Sequence, residues 1–172
     1  GRAWMGSASE PWNLVRRARA TAAVLEGITP EIGPHELLVG TFSRRELSDA
    51  EQNELRCWRE EQAPASSPVW GQRAHMAIDY ETLLRRVLRG LRAQSALYRR
   101  RLDLTRAEDL ERDAFYRACE IALDGLGQLS ARYADEAERQ AATLSPEDPR
   151  ANELQEIAHI CRRVPEYPAE TF

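Results

Sequence analysis

Across residues 106–143 the chain places Phe115, Ala118, Ala122, Leu126, Leu129 and Tyr133 at three-and-four spacing, the pattern of one buried face on an α-helix. A helix of that length constrains everything else, because the remaining segments must pack along it. The pattern allows a bend near Gly125 and Gly127.

Further helices follow from shorter signals. Residues 9–27 offer Ser9 as N-cap, Pro11 near the first turn, the apolar positions Leu14, Val15, Ala18, Ala22 and Leu25, and Gly27 as a stop. Ser48 and Glu51 form a capping box that opens a polar helix to about Gln62. Asp79 caps a helix whose stripe is Leu84, Val87, Leu88, Leu91 and Tyr98. Thr105 with Glu108 forms a second capping box, and Ser145 with Pro146 or Asp148 with Pro149 starts a last helix carrying Leu154, Ile157, Ala158 and Cys161. That helix ends before Pro165. One short strand is expected, at the apolar run Leu37, Leu38, Val39 before Gly40. The fold class is therefore mainly α with one short strand, and no repeat or low-complexity tract interrupts it.

The connection around 99–108 is short, so the two central helices form a hairpin. Arg85, Arg86, Arg89, Arg92 and Arg99 to Arg101 on the first then face Glu108, Asp109, Glu111 and Asp113 on the second. Exposed pairs of this kind contribute about 0–1 kcal/mol each and select register rather than hold the fold.

Composition sets the class. With 172 residues, 42% hydrophobic and 30% charged, and a mean hydropathy of -0.59, the chain reads as one folded domain, neither disordered nor membrane-embedded. No apolar run reaches the roughly 20 residues of a membrane span, and the first residues lack the order of a signal peptide. A cytoplasmic protein is the expectation. Cys57, Cys119 and Cys161 are read as buried thiols in a reducing compartment. Lysine is absent, yet the net charge of -4 and pI near 5.5 argue against a dedicated nucleic-acid binder.

Few residues offer chemistry. His159 and Cys161 lie about 200° apart on a helix and cannot share a metal ion. No Cys-x-x-Cys, His-Glu-x-x-His, Walker loop, Gly-x-Gly-x-x-Gly or Gly-x-Ser-x-Gly occurs. The arginine face of 85–101 could neutralise phosphates, which keeps a freestanding helical binding or regulatory module as the alternative function. His75 is the more informative residue. It precedes a helix start, where the helix dipole keeps an imidazole neutral and able both to donate and to accept hydrogen bonds.

Three stretches together resemble the N-terminal part of the pyruvate formate-lyase-like domain of glycyl radical enzymes. They are RRARATAAVLEGITPEIGPHELLVG (16–40), HMAIDYETLLRRVLRG (75–90), and FYRACEIALDGLGQLSARYADEAERQA (115–141) with ELQEIAHICRRVPEYPAETF (153–172). The resemblance implies that residues 1–172 form the partial, helical front of a larger α/β barrel enzyme, ending before the barrel. It implies a stored glycyl radical and a thiyl cysteine, often with a glutamate two residues on, neither of which this chain contains. It further implies a radical-SAM activating enzyme as partner, which holds the iron-sulfur cluster, a small organic substrate, and a homodimer among the assemblies. In the glycerol and choline lyase-like branch a histidine before an Asp-Tyr helix start lies near the substrate, so His75 becomes the expected substrate contact, with Asp79 and Tyr80 in the same motif. Ala74 stands where a glycine is usual. Arg162 and Arg163 match the terminal motif, with an expected ion-pair role. The reaction itself stays open among dehydration, carbon-nitrogen cleavage, decarboxylation, acyl transfer and addition.

Overall fold

The computed structural model of the chain describes residues 2–44, 46–62 and 78–170. In these residues the elements are α1 (Arg2–Gly6), α2 (Asn13–Glu26), β1 (Ile28–Pro30), β2 (Phe42–Arg44), α3 (Asp49–Gln62), α4 (Tyr80–Arg99), α5 (Ala107–Ala141) and α6 (Pro149–Arg163). The long helix expected from the apolar stripe is α5, and α2, α4 and α6 all pack along it.

Small residues decide which face of α5 is buried. The seam is Ala114, Ala118, Gly125, Tyr133, Ala134, Ala137 and Ala141, whereas Phe115 and Leu126, expected inside, are exposed. Alanine and glycine let a neighbouring helix approach closely, and side chains as large as Phe and Leu would hold it off. Gly125 shows the limit: a Cβ there would lie 3.2 Å from the Ala22 Cα of α2. α5 runs unbroken through both glycines, so they supply room rather than a break.

Two clusters hold the helices together. Val15 and Ala18 of α2 meet Ala114 and Ala118 of α5. Leu154, Ile157 and Ala158 of α6 meet Tyr133, Ala134 and Ala137 of α5, with Ile32 joining from the loop.

The expected strand at 37–39 does not form. Leu37 and Leu38 are exposed at bends, and the ladder lies on either side of them, pairing Ile28 with Arg44, Thr29 with Ser43 and Pro30 with Phe42. Polar contacts, some local and some made over long sequence distances, explain the difference. The Glu36 carboxylate accepts from the Gly33 and Thr41 backbone N–H groups at 2.9 and 3.2 Å, which folds 33–41 into a loop. The Gly33 bond, with those from Thr41, holds the Glu36 carboxyl below its usual range. Arg132 of α5 donates to the carbonyls of Leu25, Glu26 and Ile28, and the Tyr133 hydroxyl donates to the Thr41 carbonyl at 2.8 Å.

Helix starts follow local chemistry where the cap is free to act. The Ser48 N–H donates to the Glu51 carboxylate at 3.0 Å and the Glu51 N–H reaches the Ser48 hydroxyl at 3.4 Å, as the capping box requires. Asp79 and Asp148 cap α4 and α6 through side-chain bonds from the Thr82 and Arg150 N–H groups. Two expected caps fail. α2 starts at Asn13, behind Trp12, leaving Ser9 and Pro11 outside. Ahead of α5, the Thr105 hydroxyl donates to Asp103 at 2.6 Å and Glu108 pairs with Arg106, so Thr105 and Glu108 are engaged elsewhere. Asp109 reaches back instead, accepting from the Asp103 N–H at 3.0 Å.

All three cysteines are free. Cys57 is exposed rather than buried, because α3 buries none of its described residues. Cys119 and Cys161 are half-buried, and burial pushes both thiols up. Among the described residues no helix is long and apolar enough to cross a membrane.

Candidate functional site

The densest polar arrangement forms where α4, α5 and the segment after α6 meet. α6 stops at Arg163, as proline at 165 demands, and residues 164–167 turn back as a strap across α4 and α5. Ser130 of α5 holds the base of the strap, its hydroxyl lying 2.9 Å from the Cys161 carbonyl and 2.8 Å from that of Val164.

Arg92 of α4 holds its far end. The guanidinium donates to Glu166 through two parallel bonds of 2.6 Å, from Nη1 to Oε2 and from Nη2 to Oε1. This fork geometry is the strongest available to an arginine and a carboxylate. Nε of the same side chain lies 2.6 Å from Asp124 Oδ1, off the N–H axis, so this contact is Coulombic rather than a directed hydrogen bond. The pairing with Glu166 raises the Arg92 pKa and lowers that of Glu166. Gly127 makes the clasp fit: a Cβ there would lie 2.7 Å from Glu166 Oε1 and 3.0 Å from Arg92 Nη2.

These groups border a cleft of about 330 Å³, lined by Arg92, Asp124, Gly127, Ser130, Cys161 and Glu166 among others. Arg162 also lines it and pairs with Asp135 at 2.5 Å and Glu138 at 2.9 Å on α5. Arg163 pairs with Glu170 at 2.5 Å. No group of three metal-ligating side chains occurs among the described residues.

The residues singled out in the sequence distribute unevenly over this arrangement. Arg162 and Arg163 sit at the strap. Asp79 and Tyr80 do not line the cleft. The Asp79 carboxylate accepts from the Thr82 N–H at 3.0 Å, a bond that lowers its pKa, and Tyr80 is exposed. His75 lies outside the described residues. The arginine face of 85–101 divides: Arg92 and Arg99 are part-buried, Arg99 pairing with Asp113 and Glu120 and Arg92 with Glu166 and Asp124, whereas Arg85, paired with Glu81 on its own helix, and Arg89, over the Tyr167 ring, stay exposed with Arg86, Arg100 and Arg101. Sequence reading missed Glu166, Gly127 and Ser130 as functional positions. The one local signal was the Pro-Glu-Tyr-Pro run at 165–168, which fixes a turn around an acidic residue.

Comparison with known proteins adds three findings. A family model described as pyruvate formate lyase-like matches residues 44–172. Over 99 residues the chain is 36% identical to the probable dehydratase YbiW of Escherichia coli strain K12, an alignment covering 58% of this chain and 12% of that protein. Solved structures share the fold over 99% of the chain. They include one concerned with 1,2-propanediol dehydration in Roseburia inulinivorans (TM-score 0.83, 20% identity, 28% of that chain). Others are a glycyl radical enzyme from Archaeoglobus fulgidus (TM-score 0.72, 25% identity, 29% of that chain) and the glycerol-bound form of the B12-independent glycerol dehydratase from Clostridium butyricum (TM-score 0.80, 17% identity, 29% of that chain). The chain thus spans less than a third of the length of any of these proteins.

Proposed function

Because the chain belongs to the pyruvate formate lyase-like family, we propose that residues 1–172 form the N-terminal helical part of a glycyl radical enzyme that dehydrates a small polyol in the cytoplasm. The observation that carries this reading is the match of the family model to 44–172 together with a fold shared over almost the whole chain. The relatives named for dehydration, of 1,2-propanediol and of glycerol, support dehydration over the other reactions of the family. The segment acts only within the larger enzyme and is inactive alone.

In that enzyme a glycyl radical, installed by a radical-SAM activating enzyme, supplies with a thiyl cysteine the hydrogen-atom abstraction that starts the reaction. Neither group belongs to this segment. The residues two places after Cys57, Cys119 and Cys161 are Arg59, Ile121 and Arg163 rather than glutamate. The two thiols whose pKa is shifted are pushed up rather than activated.

The segment's own work is to wall off the reaction and to hold the substrate. Helices packed along α5 exclude water, as radical intermediates require. His75, ahead of the Asp79-capped start of α4, contacts a substrate hydroxyl as a neutral imidazole. The Arg92–Glu166 clasp ties α4 to the strap, which Ser130 holds on α5.

Reading the coding frame beyond Phe172 tests the proposal. The expected result is a continuation carrying a Cys-x-Glu loop and, later, a glycine loop of the radical type. A stop codon directly after Phe172 contradicts it and returns the chain to a binding module.

A further inference from the structure

α4 is not one straight helix. At Val87 the backbone takes φ 49° and ψ -170°, at the edge of a region that glycine alone enters readily, and a β-branched residue there is strained. Two further observations belong to the same bend. The Leu88 N–H is turned away from its own helix and donates to the Pro165 carbonyl of the strap at 3.1 Å. A Cβ on Gly90 would lie only 3.1 Å from the Arg86 Cβ, where residues four apart on a regular helix keep their Cβ atoms about 5–6 Å apart.

The halves on either side differ in burial. Leu88 is 1% exposed, whereas Tyr80 and Leu84 are 63% and 60% exposed. The rear half is fixed in the core and the front half stands off it.

We infer that α4 is two half-helices joined at a strained hinge, Val87, and that the strap 164–167 is the latch that holds the hinge bent. The latch supplies the acceptor that the bend takes from Leu88, and the Arg92–Glu166 fork ties the strap to the rear half. Glycine at 90 leaves space for Arg86 to fold over. The strap therefore sets the direction in which the Asp79-capped front half points, a conformational role that stands apart from the radical chemistry proposed above.

Hydrogen exchange at single amides of the whole protein tests this, with two substitutions whose ordinary effects are reversed by the hinge. In a straight helix Val87→Gly speeds local exchange and Gly90→Ala slows it. The hinge predicts the opposite. Val87→Gly, which removes the strain, slows exchange of the Leu88 amide by about fivefold or more. Gly90→Ala, which crowds Arg86, speeds it by a similar factor. Slower exchange in α2 than in a denatured control shows in each variant that the fold is kept. Unchanged or faster exchange in Val87→Gly, or unchanged or slower exchange in Gly90→Ala, overturns the hinge. A measurement on the unsubstituted protein decides independently of either variant: the Val87 Cα chemical shift lies outside the helical range if the hinge exists, and within it if α4 is straight.

Discussion

Replacing Arg92 with alanine is expected to release the strap at a cost of about 3 kcal/mol. The residue is half-buried, as is its partner, with side-chain exposures of 27% and 30%, so the fork is not an exposed pair of little consequence. Without the guanidinium, Asp124 rehydrates easily because it is largely exposed, while Glu166 is left half-buried beside Gly127 with its bidentate partner gone. Exchange of the Tyr167 amide, which donates to the Arg163 carbonyl at 2.8 Å, should then quicken on the order of 100-fold. Acid should do the same to the unsubstituted protein. Arg92 lowers the Glu166 pKa below its ordinary 4.5, so the clasp's contribution is complete above pH 4.5 and is lost as pH falls through the lower folded value. The Arg92→Ala variant has no such acid dependence left to lose. Equal acid sensitivity of the strap in both proteins would place the titrating group elsewhere.

The second large effect concerns chemistry. In the full-length enzyme His75→Ala should lower kcat/KM for the polyol by about 10²-fold or more. A site built to hydrogen-bond a hydroxyl loses at least that when one charged or strongly polar partner is removed. His75→Gln, which keeps a donor and an acceptor at similar reach, should recover part of the loss. The pH profile separates a substrate contact from a merely structural histidine: a contact that works as neutral imidazole should lose activity as acid protonates the ring in the unsubstituted enzyme, and His75→Gln should abolish that acid limb. Full activity in His75→Ala contradicts the assignment.

How far such features could be read from the sequence depended on the range of the interaction that makes them. Ser48, Asp79 and Asp148 were legible as caps because a cap is settled within three or four residues. Thr105 was misread because Asp103, two residues before it, takes its hydroxyl. The long helix was legible from periodicity, but not its buried face, since Phe115 and Leu126 outweigh Ala114 and Ala137 on any hydrophobic pattern while packing geometry favours the smaller residues. The β1–β2 pair was invisible because Arg132 and Tyr133, roughly a hundred residues away, anchor it. The clasp was invisible for the same reason, with 74 residues between Arg92 and Glu166. Arg99 with Asp113 was within reach, as the hairpin connection is short. Arg162 and Arg163 were singled out through family resemblance alone, and the structure puts both at the strap.

Electron paramagnetic resonance on the full-length protein tests most directly whether this helical segment serves a radical enzyme. After anaerobic treatment with its radical-SAM activating enzyme, the account predicts an organic radical centred on a backbone glycine, present at equal intensity in the unsubstituted protein and in His75→Ala, with dehydration of the polyol impaired only in the latter. A full-length protein that dehydrates the polyol with no such signal, or one that carries no radical after activation under any condition that loads a known glycyl radical enzyme, would contradict it.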